Sequence, residues 1–476
     1  MLSFFKINDP YRLAIILLLI LAIRLPLFYF GVPIIIPEVK WMLIGEALAN
    51  GKDMYKDIWD FTGPLSAGFY SLLHLTFGKS IAAYRAISML LVIIQCGIFN
   101  NLLLSNKAYN QNTYVPAFMY MIFMHMSFDF FTLSPVLMGM TFALLAVNNL
   151  FQRMDNTTRD ELFVQMGFYL GIATLFYLPF FLYFIVIILS LLIYTGSIFR
   201  RMLLMVYGYL IVLILAALYY FWFDSLSIFR ILYAESAFFL DSFDYFSWKE
   251  YLGLSAIPLA IFIVAYFKTK TVGRYINAQI KIQNVMLMFM SMGILAVLLS
   301  KEFSTYQLIY IVPGLAFYTS HYLLLLKRWI VAETITSIIC GLILLNMLFP
   351  LKEWLFVNEF VSYDNLIAKE SPYKQITSEK EVLVIGDHIE LYQGASLATP
   401  YLNWQFSQKH LENLEYYDNL TETFINFSND LPEIIIDEKG VAEKLFDKMP
   451  TIAIKYSRHN SFDHVYVLKA RKKDRQ

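Results

Sequence analysis

The chain has 476 residues, of which 58% are hydrophobic and 16% charged, and its 37 basic and 37 acidic residues cancel to a formal net charge of zero. Soluble domains are about 45 to 50% apolar and about 25% charged, so this composition excludes an ordinary water-soluble globule and makes lipid the expected solvent. Lys and Arg lie scattered in short clusters rather than in a stripe, which gives no case for a nucleic-acid partner.

Both cysteines, Cys96 and Cys340, fall inside apolar runs and read as small core hydrophobes. Leu13 to Phe30 follows Lys6 and Arg12 but has no small-residue cleavage site after it, so it is expected to remain as a helix rather than be removed as a signal peptide. A membrane-spanning helix needs about 20 mostly apolar residues. Runs that meet or approach this length cover 12–31, 81–104, 113–128, 130–151, 162–176, 177–195, 203–223, 253–267, 283–300, 304–325 and 329–349, which predicts an all-α polytopic protein of about eleven spans. Those at 113–128 and 162–176 are short for the task.

Short cytoplasmic loops are enriched in Lys and Arg. With the N-terminus in the cytoplasm, every second loop carries such residues: Lys107; Arg153 and Arg159; Arg200 and Arg201; Lys268, Lys270, Arg274 and Lys281; Lys327 and Arg328. The expected setting is a bacterial inner membrane, with the long loops 32–80 and 224–252 and everything after about Leu351 on the periplasmic side. This gives a transmembrane domain over 1–350 and a small periplasmic α/β domain over 351–476. In the latter, Val382 to Asp387 reads as a buried strand ending at a turn, helices over 400–425 and 440–448 flank a second strand from Pro432 to Asp437, and 451–469 reads as a strand pair before a solvated basic tail. Asn-x-Ser/Thr triplets at Asn156, Asn419 and Asn426 are common by chance and carry no argument.

Ionisable groups are costly at membrane depth and gather where water or a partner receives them. Chemistry is therefore expected at the outside ends of the helices, where three clusters stand out. The first runs from Pro37-Glu38-Val39-Lys40-Trp41 through Asp53, Tyr55, Asp57, Trp59, Asp60 and Phe61 to Gly63-Pro64-Leu65, with a short interfacial helix between Glu38 and Asn50 stopped by Gly51. The second is Ser127-Phe128-Asp129-Phe130, and the third is Ser300-Lys301-Glu302-Phe303 followed by Tyr306, Tyr310 and Pro313. Each has a plain alternative: solvated loop charges in the first, an Asp that merely forms a turn in the second, and a Lys and Glu that snorkel to the interface in the third. Sugar transfer from a lipid phosphate needs a carboxylate to help an acceptor attack and a cation to offset charge on the departing phosphate, and these clusters contain both.

The first loop resembles the GT-C superfamily of membrane glycosyltransferases, especially the branch near protein O-mannosyltransferases and lipid A aminoarabinose transferases. It carries Glu38, Gly51, Tyr55 and Asp57, Gly63-Pro64-Leu65, Gly78-Lys79-Ser80 and Arg85 in the family's order. A weaker likeness extends through Asp129, through Lys301 with Tyr306 and Pro313, and through Gly386-Asp387, Tyr392 and Ala398-Thr399-Pro400-Tyr401.

The resemblance implies a transferase that takes a sugar from a polyprenyl-phosphate donor in the bilayer and passes it to a glycan, lipid or protein acceptor. It implies Glu38, Asp57, Asp60 and Asp129 as catalytic carboxylates and Lys301, Arg230 and Tyr306 as contacts to the donor phosphate. Arg230 belongs to the 224–252 loop, which also carries Tyr233, Glu235 and Asp241 and resembles the family's variable outer loop. Metal dependence stays open, since some relatives hold a divalent ion on outside carboxylates and Glu38 with Asp129 would be the candidates here.

One departure is Pro37, which stands where the family carries its presumed catalytic Asp. Either Glu38 takes over, or the frame serves as an inactive scaffold subunit of an envelope assembly for secretion, motility or polysaccharide export. A transporter fits less well, because charges inside the spans are sparse apart from Arg24 and Glu333.

Overall fold

The computed structural model describes residues 1–154, 159–195, 199–236, 243–348 and 362–469. The triplet at Asn156, the residue Asp241, the expected domain boundary near 350 and the tail after Lys469 lie outside the described residues. The chain forms two compact units: one of Met1–Pro33, Ile81–Tyr219 and Ser242–Leu366, the other of Ile34–Ser80, Tyr220–Asp241 and Ile367–Gln476.

The chain is a multi-pass helical membrane protein. Among the described residues, nine helices are long and apolar enough to cross a bilayer, and all lie in the first unit except the last turn of Phe199–Trp222. The two short runs fall below that length. Residues 162–176 form the 16-residue helix Glu161–Phe176. The run 113–128 yields only the nine-residue helix Val115–Phe123, about 14 Å long at 1.5 Å per residue. It stops because the chain tightens at once: the His125 amide bonds Ile122 O at 3.0 Å and the Met126 amide bonds Phe123 O at 3.1 Å.

Burial orders the remaining helices. Thr305–Leu325 and Pro135–Met154 are 83% and 72% buried over their apolar stretches and form the centre of this unit, whereas Tyr11–Tyr29 and Phe199–Trp222 are 17% and 22% buried and form its rim. The rim helices are the more apolar, and they expose Leu18, Leu215 and Phe221. That inversion suits a lipid solvent, in which apolar side chains need not be hidden.

Close helix contact in lipid rests on small residues that let backbones approach. Helix Glu161–Phe176 carries Gly167 and Gly171 four positions apart, and both face Phe199–Trp222. A Cβ placed on Gly167 would stand 2.0 Å from Met205 O, and one on Gly208 of the facing helix 2.2 Å from Val164 O. The two backbones touch, and no other residue fits at either crossing point.

The second unit contains a five-stranded sheet. Its strands are β3 (Glu381–Ile385), β4 (Ser396–Leu397), β5 (Ile434–Asp437), β6 (Tyr456–His459) and β7 (Phe462–Leu468), with β1 (Phe243–Asp244) and β2 (Glu302–Phe303) forming a separate parallel pair in the first unit. The order is β4-β3-β5-β7-β6, with β4, β3 and β5 parallel and β7 antiparallel to both β5 and β6. β5 is buried throughout and β3 is buried from Val382 onward, as expected of strands covered on both faces. Asp437, at the end of β5, accepts the amides of Lys439, Val441 and Ala442 and so starts the helix Ala442–Lys448.

The loop 34–80 is folded into this unit. It forms the helix Ile36–Ala49, close to the expected 38–50, and a second helix, Pro64–Phe77, that the apolar pattern does not announce. The helices cross where a Cβ on Gly45 would meet Tyr70 O at 2.6 Å. Glu46 accepts from Ser396 Oγ at 3.0 Å and pairs with Lys79 at 2.7 Å, while Lys52 pairs with Asp430 at 2.7 Å, so the middle of the loop is tied to the terminal domain.

Candidate functional site

In the second unit the predicted acids sit on a packed loop. Pro37 and Glu38 occupy the first turn of Ile36–Ala49, and a Glu38 carboxylate oxygen accepts the Ile35 amide at 3.3 Å, satisfying a donor that a helix start leaves open. Glu38 is 2% exposed. Past Gly51, whose φ of +90° ends the helix, Asp57 accepts the Asp53 amide at 2.8 Å and closes a turn. Tyr55 in that turn has a φ of +72°, a conformation that only surrounding packing sustains in a bulky residue. Its ring packs at 5.1 Å on Tyr220 and 5.3 Å on Phe229, and its hydroxyl donates to Thr62 O at 2.8 Å.

Asp60 is the centre of this loop. It is fully buried and accepts hydrogen bonds from the Thr62 amide (2.9 Å), the Thr62 hydroxyl and Asn403 Nδ2 (3.2 Å). Lys40, 1% exposed and two residues beyond Glu38 on the helix, places its ammonium 3.6 Å from Asp60 and 4.4 Å from the centre of the Phe61 ring. Trp59 anchors the same stretch, its amide bonded to Pro400 O at 2.7 Å and its carbonyl to the Asn403 amide at 3.2 Å. Asp60 is therefore locked into the fold of this unit rather than open to a substrate.

Beside Trp59 lies a cavity of about 420 Å³ lined by Ile231, Glu235, Gln405, Lys409, His410 and Glu422. Trp59 Nε1 and His410 Nδ1 are buried without hydrogen-bond partners, and His410 Nε2 faces Glu422 at 3.3 Å. Arg230 is largely exposed and pairs with Glu235 of its own turn at 3.1 Å.

In the first unit two of the expected turns meet. Asp129, on the short turn Phe128–Phe131, accepts from the Thr305 hydroxyl at 2.5 Å and the Ser304 hydroxyl at 3.4 Å, while its other oxygen is buried without a hydrogen-bond partner. Tyr306, one residue on, donates its hydroxyl to Glu302 at 2.7 Å. Lys301 precedes Glu302 and is half-buried.

Burial pushes the Asp129 carboxyl above the usual carboxylate range, and its hydrogen bonds to Ser127 and Thr305 offset this only in part. A carboxyl raised by folding contributes stability that is complete below its unfolded value and is lost as pH rises through its folded one. Asp129→Asn is accordingly expected to flatten the decline in thermal stability on going up from the ordinary carboxylate range. An unchanged profile of melting temperature against pH in the variant would count against that assignment.

Glu38, Asp57, Asp60 and Arg230 thus belong to the second unit, and Asp129, Lys301 and Tyr306 to the first. Among the described residues no group of three or more His, Cys, Asp or Glu side chains is placed to hold a metal ion. Asn403, Thr62 and Thr305, which fix the carboxylates, carry no signal in the sequence. Asn403 lies 343 positions from Asp60 and Thr305 lies 176 from Asp129, so no local pattern links them.

No family model matches the chain. No curated protein matches it either. Among solved structures, the crystal structure of ArnT from Cupriavidus metallidurans in the apo state is similar, with a TM-score of 0.49 and 13% identity over 72% of this chain. The match spans 66% of the ArnT chain, just under two thirds of its length.

Proposed function

We propose that the chain is a membrane glycosyltransferase that takes a sugar from a polyprenyl-phosphate donor and passes it to an acceptor on the periplasmic side. The observation that carries this reading is the burial of Glu38, Lys40 and Asp60, at 2%, 1% and 0% exposure, in a loop that follows a membrane helix. Solvated connections do not bury three ionisable residues, because each is costly to remove from water.

In this reading Glu38 takes the proton of the acceptor's hydroxyl or amine as that group attacks the anomeric carbon. The bond from that carbon to the phosphate oxygen breaks, and the phosphate leaves with the electron pair. Arg230 of the same unit offsets its charge, and Asp57 and Asp60 hold the surrounding groups in place. The cavity beside Trp59 suits a polyhydroxylated acceptor, offering an indole N–H, carboxylates and an amide to hydroxyl groups.

The test is transfer of radiolabelled sugar from a polyprenyl-phosphate donor by the purified protein. Glu38→Gln is expected to reduce the rate by about 100-fold or more, the usual scale for losing a general base. If Glu38→Gln transfers sugar at the parent rate, the assignment fails.

A second reading is a scaffold without transfer activity. It is favoured by Pro37 in the first helical turn and by the engagement of Glu38 with the Ile35 amide, both of which serve the helix start. Donor that binds but never turns over, in the parent protein, supports this reading instead.

A further inference from the structure

We propose that Arg24 and Arg85 hold the phosphate of an anionic glycerophospholipid in a cavity between the first two membrane helices. The cavity is about 260 Å³, and apart from the two arginines its walls are apolar, among them Leu25, Phe28, Ala86 and Met89.

Arg24 is 6% exposed on the helix Tyr11–Phe30, six residues from its end, which is about 9 Å along the axis. Its Nε donates to His125 Nε2 at 3.3 Å, its Nη1 to Ser88 Oγ at 3.4 Å, and the guanidinium lies 4.5 Å from the centre of the Phe131 ring. Its Nη2 is buried with no hydrogen-bond partner. All of its partners are neutral, and among the described residues no carboxylate lies within salt-bridge distance of it. His125 adds no compensating charge: its Nδ1 bonds Met121 O at 2.7 Å, so the ring donates there and accepts from Arg24 as a neutral imidazole.

A buried guanidinium without a counter-charge is expensive, and more so in a membrane helix, so an anion at this position is strongly favoured. Arg85 supplies the second cation from the fifth position of the helix Ile81–Ser105, its guanidinium steadied by Val32 O at 3.1 Å and Pro33 O at 2.9 Å. Guanidinium pairs suit phosphate oxygens.

The apolar walls select the source of that phosphate. Leu25 and Phe28 are 56% and 50% exposed on the lipid-facing rim, so the cavity accepts a molecule with an anion at one end and hydrocarbon at the other. Free phosphate would leave those walls unfilled.

The experiment is native mass spectrometry of the full chain in detergent, titrated with phosphatidylglycerol, phosphatidylcholine, inorganic phosphate and a polyprenyl phosphate. Phosphatidylglycerol is expected to be retained about tenfold over phosphatidylcholine, the worth of one charge-assisted contact. Arg24→Gln should abolish that preference. Ala86→Trp, which fills the cavity and leaves both charges in place, should abolish binding of the lipid there. Equal retention of the two phospholipids overturns the proposal, as does a preference that survives both variants. Displacement of phosphatidylglycerol by inorganic phosphate, or by equimolar polyprenyl phosphate, overturns the assignment to a glycerophospholipid.

Discussion

Lys40→Met is expected to destabilise the second unit by about 3–5 kcal/mol, the cost of leaving one member of a buried ion pair without its counter-charge. Asp60 is fully buried, and Lys40 is its only cationic partner among the described residues. Methionine matches the lysine stem in size, so packing changes little and the loss reports the charge. Thr62 and Asn403 still donate to Asp60 in the variant and moderate the penalty without replacing the cation. The measurement is the proteolysis midpoint of this unit in denaturant, compared with the double variant Lys40→Met/Asp60→Asn. The double variant should regain most of the loss, because a neutral amide oxygen still accepts from Thr62 and Asn403 and leaves no buried charge unpaired. If Lys40→Met alone unfolds at the parent midpoint, the ion pair contributes nothing.

Gly167→Leu is expected to cost about 3 kcal/mol, the upper end of ordinary overpacking, because the obstacle is backbone. Flexible side chains yield to an added methylene, whereas Met205 O and Tyr209 N, 2.0 Å and 2.7 Å from the position of the new Cβ, belong to a continuous helix. The two helices must separate, and in lipid they lose the van der Waals contact that holds them together. Size-exclusion chromatography after mild heating should show loss of the monodisperse peak at a temperature several degrees below the parent's. Gly97→Leu, on the helix Ile81–Ser105, is the matched control, since nothing lies within 4 Å of its Cβ direction. Equal behaviour of the two variants would mean that the close crossing does not limit stability.

The sequence revealed what period and length encode. Nine apolar stretches were legible because lipid demands an unbroken run of about 20 residues. The stretches at 113–128 and 162–176 were legible as short apolar runs, and they form a nine-residue and a 16-residue helix, below that length. The runs Val382 to Ile385 and Ile434 to Ile436 announced β3 and β5 by their branched side chains, whereas the two-residue β4 left no trace. Pro64–Phe77 is apolar but only 14 residues long, and its place beside Ile36–Ala49 is visible only once Gly45 and Tyr70 are seen to touch.

For the candidate site, residue chemistry picked out Glu38, Asp60 and Asp129, but burial and partners could not be read. Asp60 owes its environment to Lys40 on one side and Asn403 on the other, and only the folded chain brings these together. Arg24 passed as a charge near a helix end, and nothing local to it shows that Ser88 and His125 enclose it.

Because the second unit draws on residues 34–80, 220–241 and 367–476, its assembly is tied to the timetable of synthesis. Asp60 emerges from the ribosome 343 residues before Asn403, a gap of roughly 20–70 s at ordinary elongation rates. Throughout that interval most of the membrane helices are being inserted while the early loop waits, hydrated and without its terminal partners. A chain released before Pro400 would leave Trp59 and Asp60 as an open, sticky stub, so premature termination should yield a protein that inserts normally yet is cleared by quality-control proteases.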